Sequence, residues 1–107
     1  MCTDLAGWRA QIDEVDREIL HLLSRRAEMV AEVGALKHGS GRPVHDPRRE
    51  AEILARIRDA NPGPLSGDAV VRLFTGIIRE SRSLESELVS VAEAAEAEAA
   101  EAVRRAG

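Results

Sequence analysis

The side chains best able to do chemistry in this sequence are charged and hydroxyl residues standing where helical stripes call for apolar ones. Such breaks in a local pattern tend to mark functional positions. Arg26 falls where the apolar series Ile19, Leu22 should pass on to Val30 and Val33, and Lys37 follows eleven residues later. At about 100° and 1.5 Å per residue, that spacing is three full turns, so both cations share one face roughly 16 Å apart. Long side chains from such positions can converge on a small anion between them. The plainer possibility for each is a charged tip reaching water past an apolar stem.

A second group is Asp46, Arg49 and Glu50, with Glu50 leading into Ile53 and Leu54 and therefore facing inward. Asp46 also suits a helix N-cap, and Glu50 a first-turn partner of the helix dipole. A third group is Ser81 and Glu85, one turn apart on the face of Phe74, Ile78 and Leu88. A serine there can be simple packing, but an unpaired carboxylate in an apolar stripe is costly to bury. Arg9 is seventeen residues before Arg26, about 25 Å away and a quarter turn off its face. It cannot join Arg26 on one straight helix, whereas an antiparallel partner helix could bring it to a neighbour's site.

Taken together, these residues describe a pocket with up to four cations, two or three acids and a hydroxyl between aliphatic walls. That suits a small dianion carrying a hydroxyl group. His21, His38 and His45 are scattered and read as solvent-exposed. No Ser–His–Asp arrangement, metal cluster or phosphate loop is evident, so neither metal nor cofactor is expected. The implied catalysis is electrostatic, without a protein nucleophile.

The elements that must position these groups are helical. The 107 residues are 44% apolar with only Trp8 and Phe74 as aromatics, which favours a helix-packed core of Leu, Ile, Val, Met and Ala in a single domain. The formal charge of −4 is split evenly between residues 1–91 and the Ala/Glu-rich residues 92–107, and nothing is basic enough to suggest nucleic acid or a membrane surface. Cys2 is the sole cysteine, which rules out an intrachain disulfide. No signal-like run or 18-residue apolar stretch occurs, so a soluble, cytoplasmic protein is expected.

Turn-rich segments at 38–43 and 61–67 divide the chain into helices at about 4–37, 47–60 and 67–91. Thr3 or Asp4 caps the first, Asp46 with Pro47 opens the second, and Ser66 or Asp68 starts the third. Residues 92–107 are expected to extend the third helix or fray. The first helix carries Leu5, Trp8, Ile12, Val15, Ile19, Leu22, Val30 and Val33 along about 50 Å, more than two shorter helices of one chain can cover. A second copy can cover it, which predicts an intertwined all-α homodimer. An elongated hairpin in a larger bundle is the alternative.

With these groups in view, the order Arg9, Arg26, Lys37, then Arg42-Pro43-Val44-x-Asp46-x-x-Arg49-Glu50, then Ser81-x-x-x-Glu85 resembles the all-helical chorismate mutases. Leu5-x-x-x-Arg9-x-x-Ile12-Asp13-x-x-Asp16 and Glu32-Val33-Gly34 are similar to that family as well. The resemblance covers about residues 5–90. It implies a domain-swapped dimer and the cofactor-free [3,3] rearrangement of chorismate to prephenate in aromatic amino-acid biosynthesis. By that resemblance Arg26 binds one substrate carboxylate and Arg9 of the other subunit binds the second. Lys37 contacts a carboxylate and the ether oxygen, Glu50 and the backbone at Asp46 hold the ring hydroxyl, and Arg49 and Ser81 complete the carboxylate network.

Glu85 departs from the glutamine that many members place against the ether oxygen. An ionised Glu cannot donate a hydrogen bond and would repel charge developing there. Glu85 is therefore expected to act protonated; aliphatic surroundings favour the neutral acid, and Lys37 opposes it. The rivals are isochorismate pyruvate lyase and aminodeoxychorismate mutase on the same fold, and a non-catalytic helical dimerisation module. Asp46, Arg49 and Glu50 favour chorismate, and the interruptions by Arg26, Ser81 and Glu85 disfavour a mere module. No segment is left over for a regulatory domain, although control by a partner enzyme stays open.

Overall fold

A computed structural model describes residues 4–107 as three α-helices in the order α1 (Leu5–Gly39), α2 (Pro47–Ala60) and α3 (Gly67–Ala106), without a strand among the described residues. Each start is fixed by a side chain that accepts an otherwise orphan backbone N–H. Asp4 accepts from Gly7 at 2.8 Å, Asp46 from Arg49 at 3.1 Å with Pro47 at the first helical position, and Ser66 from Ala69 at 3.0 Å. Thr3, the other candidate cap of the first helix, and Cys2 lie outside the described residues.

At the far end of α1, Lys37 and His38 complement the carbonyl end of the helix dipole. Ser40 donates from both its backbone N–H and its hydroxyl to the Leu36 carbonyl. Gly41 then turns the chain at φ 73°, a conformation that costs a residue without a side chain little. The helix α3 runs through the Ala/Glu-rich segment to Ala106, 15 residues beyond Val91.

Cross-links give the packing. Arg26 meets Ser81, Lys37 meets Glu85 and His38 meets Glu96, so α1 and α3 run parallel. Glu50 faces Arg82 and Arg58 meets Asp68, so α2 runs antiparallel to α3. The helices therefore form one sheet-like layer with extents of 73 × 31 × 15 Å. Among the described residues α3 lies between α1 and α2, which do not pack on each other, so the three helices lie side by side. The radius of gyration is 19.8 Å, against about 13 Å for a compact domain of this length.

Little is buried in such a layer. Ile78, Glu85 and Gly34 are the buried residues among those described. The apolar face of the first half of α1 is bare: Leu5, Trp8, Ile12, Val15, Ile19 and Leu22 are each 49–64% exposed. No helix among the described residues is long and apolar enough to cross a membrane.

Candidate active site

Where the three helices come together they enclose a cavity of about 270 Å³. From α1 it takes Arg26, Met29, Val30, Val33 and Lys37, residues that one helical face presents over three turns. The start of α2 contributes Asp46, Arg49, Glu50 and Ile53, and α3 contributes Ile78, Ser81, Arg82 and Glu85. Aliphatic walls and charged groups thus alternate around one opening.

The polar groups are held by specific contacts. A guanidinium nitrogen of Arg26 donates to the Ser81 hydroxyl, which itself donates to the Ile77 carbonyl at 2.9 Å. The serine therefore relays a backbone anchor on α3 to the arginine on α1. Lys37 Nζ lies 3.3 Å from Glu85 Oε2 and donates at 3.3 Å to the Val44 carbonyl. One ammonium thereby ties α3 to the loop that leads into α2. The Glu85 side chain is only 10% exposed, so this ion pair sits largely out of water. Gly34 lies against it; a Cβ there would stand 3.4 Å from Glu85 Cγ, at the near edge of ordinary van der Waals contact.

Asp46 uses its carboxylate to cap α2, which holds the start of that helix, with Arg49 and Glu50, at the cavity wall. Glu50 has a basic group near each oxygen: Arg82 at 3.7 Å from Oε1 and His45 at 3.9 Å from Oε2. Arg26 and Arg49 have no carboxylate partner among the described residues. Of the four cations lining the cavity, they are the two left free to meet an anion. Among the described residues no set of three His, Cys, Asp or Glu side chains is placed to hold a metal ion.

Seven of the eight residues singled out from the sequence (Arg26, Lys37, Asp46, Arg49, Glu50, Ser81 and Glu85) line this cavity, although they come from positions up to 59 apart in the chain. Arg9 does not; it lies exposed on the projecting first half of α1. Arg82 lines the cavity and was missed. It lies four residues after Ile78 and three before Glu85, a spacing that could have flagged it as a further charge on the same face. The reading of all three histidines as solvent-exposed fails for His38, which is part-buried against α3 with Nε2 at 2.9 Å from Glu96 Oε1.

Residues 8–86 match the family described as chorismate mutase type II. The chain belongs to that family. All eight residues above lie inside the matched span, which ends before the last 21 residues. The chain is 44% identical over 80 residues to a bifunctional chorismate mutase/prephenate dehydratase of Neisseria gonorrhoeae, covering 75% of this chain and 22% of that protein. It thus spans less than a quarter of the bifunctional relative's length. Among solved structures it resembles the form II structure of chorismate mutase from Thermus thermophilus, with 41% identity, a TM-score of 0.76, and coverage of 77% of this chain and 93% of that one. It also resembles the Helicobacter pylori chorismate mutase in complex with prephenate, at 29% identity and a TM-score of 0.74, covering 80% and 93% of the two chains. The all-helical fold is therefore that of type II chorismate mutases.

Proposed function

We propose that this chain, as an intertwined homodimer, converts chorismate to prephenate in aromatic amino-acid biosynthesis. The observation that carries the reading is the convergence of Arg26, Lys37, Asp46, Arg49, Glu50, Ser81 and Glu85 on one cavity of about 270 Å³. The cavity offers what the reaction demands of a catalyst. A flexible enolpyruvyl ether has to be held in a compact chair, which is a positioning task. Arg26, steadied by Ser81, and Arg49 would hold carboxylate oxygens, and Glu50 with the Asp46 backbone would hold the ring hydroxyl.

As the C–O bond breaks ahead of C–C bond formation, negative charge grows on the ether oxygen. Lys37, already held beside Glu85, would meet that charge from the protein. Stabilising charge that develops only in the transition state raises the rate rather than mere affinity. No side chain needs to form a covalent bond, and no cofactor enters the scheme.

The dimer belongs to the same reading. A layer 15 Å thick with a bare apolar stripe on α1 invites a second layer, and an isologous pair of the same stripes supplies one. Burying each of those half-exposed side chains would contribute on the order of 1 kcal/mol. An antiparallel crossing of the two α1 helices centred near Leu20 would set Arg9 of the partner subunit opposite a position between Arg26 and Lys37. That geometry would add the missing cation for the second carboxylate.

The test is loss of chorismate, followed by its ultraviolet absorbance, with purified protein, alongside turnover of isochorismate and aminodeoxychorismate. Chorismate is expected to be consumed with prephenate as product. Arg26→Ala should fold and dimerise as the parent does yet lose about 10²–10³-fold in kcat/KM. A helical module without catalysis would leave chorismate untouched, and Arg26→Ala would then change nothing.

A further inference from the structure

We propose that Arg82 is a positioning residue that holds the Glu50 carboxylate for the ring hydroxyl of the substrate and tips the charge of the cavity toward a dianion. This rests on the mutase reading above, in which Glu50 is the hydroxyl's acceptor. Arg82 Nη1 stands 3.7 Å from Glu50 Oε1, and the two side chains are 35% and 24% exposed. The pair bridges α3 and α2 at the cavity wall, so Arg82 fixes Glu50 relative to Ser81 and Glu85, which its own helix carries.

The looseness of the contact matters. At 3.7 Å the pair gains Coulomb attraction but lies beyond the roughly 2.7–3.2 Å of a good N–H···O bond, which leaves carboxylate lone pairs open to an incoming hydroxyl. A tighter fork would occupy them. Arginine suits the place because its charge does not titrate in the working range. Arg82 also turns an even count of three bases and three acids around the cavity into four bases against three acids. Without it, Glu50 would keep only His45, 3.9 Å from its other oxygen, as a basic neighbour before a doubly negative guest. Arg26 and Arg49, without carboxylate partners among the described residues, remain the groups that grip the guest's own carboxylates.

An interaction made equally in the ground and transition states shows in KM, with kcat nearly unchanged. Arg82→Met, which keeps the stem and its packing, is therefore expected to raise KM for chorismate roughly 2- to 5-fold, the scale of a part-exposed ion pair, while kcat moves less than about 1.5-fold. Arg82→Lys should recover most of the loss, and circular dichroism of each variant should match the parent. Coupling is read as the Kd of prephenate by titration calorimetry, which does not depend on turnover. The Arg82→Met penalty should largely vanish in a Glu50→Gln background. A penalty of equal size in that background would mean that Arg82 grips the ligand directly, and an unchanged KM would mean that it does neither; each result overturns the proposal. If the parent protein leaves chorismate untouched, the mutase reading falls and this inference with it. If the parent turns chorismate over and only the Arg82 results fail, the mutase reading stands.

Discussion

Along α1, two stretches of similar apolar content meet different surroundings. From Arg26 to His38 the helix is stitched to α3 through Ser81, Glu85 and Glu96, and it walls the cavity. From Leu5 to Leu22 the same helix carries a continuous apolar stripe whose members are each 49–64% exposed. The second stretch buries almost nothing within the chain, yet it costs as much conformational entropy to order as the first. On the proposed function, the difference is a division of labour. One half builds the site, and the other recruits the copy that closes it and delivers Arg9.

Placing charges in the bare stripe should break this arrangement most severely. Ile12→Asp with Ile19→Asp is expected to give monomers in sedimentation and to reduce mutase turnover to the uncatalysed rate, although neither residue lines the cavity. Buried like charges facing each other across a two-fold axis are among the largest penalties a single interface can meet. Unchanged mass and activity would show that the stripe is not an interface.

Much of this organisation is legible in the sequence because it is local. Asp4, Asp46 with Pro47, and Ser66 announce the helix starts through hydrogen bonds within three residues of themselves, and all three act as caps. Arg26, Ser81 and Glu85 stand out because a polar residue in an apolar series is visible without knowing what faces it. Arg82 does not stand out, since an arginine beside Ser81 and Ser83 on a charged helix resembles solvated surface until α2 brings Glu50 against it. The partnership of His38 with Glu96 is equally hidden, because it joins residues 58 apart through the parallel packing of α1 and α3. The closeness of Gly34 to Glu85 is likewise visible only once the helices are packed.

Within the cavity half of α1, the Lys37–Glu85 pair sharpens the comparison at an intermediate scale. Glu85→Gln, whose amide always offers a hydrogen-bond donor, should sustain turnover by the dimer, whereas Glu85→Ala should lose about 10²-fold. Equal turnover by the parent and Glu85→Ala would remove Glu85 from the mechanism.

The smallest effect is expected far from the cavity, where the Arg58 guanidinium braces α2 on Asp68 at the start of α3. Its hydrogen bond, and then its charge, hold the Asp68 carboxyl below the usual carboxylate range. A depressed folded-state value contributes stability above the unfolded value of about 4 and loses it as pH falls through the folded one. Asp68→Asn should therefore lower Tm slightly at neutral pH, with the gap to the parent closing under strongly acidic conditions. The pair is fully at the surface, so turnover should not follow it.

The most direct measurement mixes two inactive proteins. Arg9→Ala and Arg26→Ala homodimers should each be nearly inactive. Denatured together and refolded in equal amounts, half of the dimers would be mixed, and each mixed dimer would regain one intact site of two. Activity should then return to about a quarter of the parent's, as expected for an isologous pair whose sites are shared across the two-fold axis. A mixture no more active than its components would contradict the claim that each cavity is completed by the neighbouring chain.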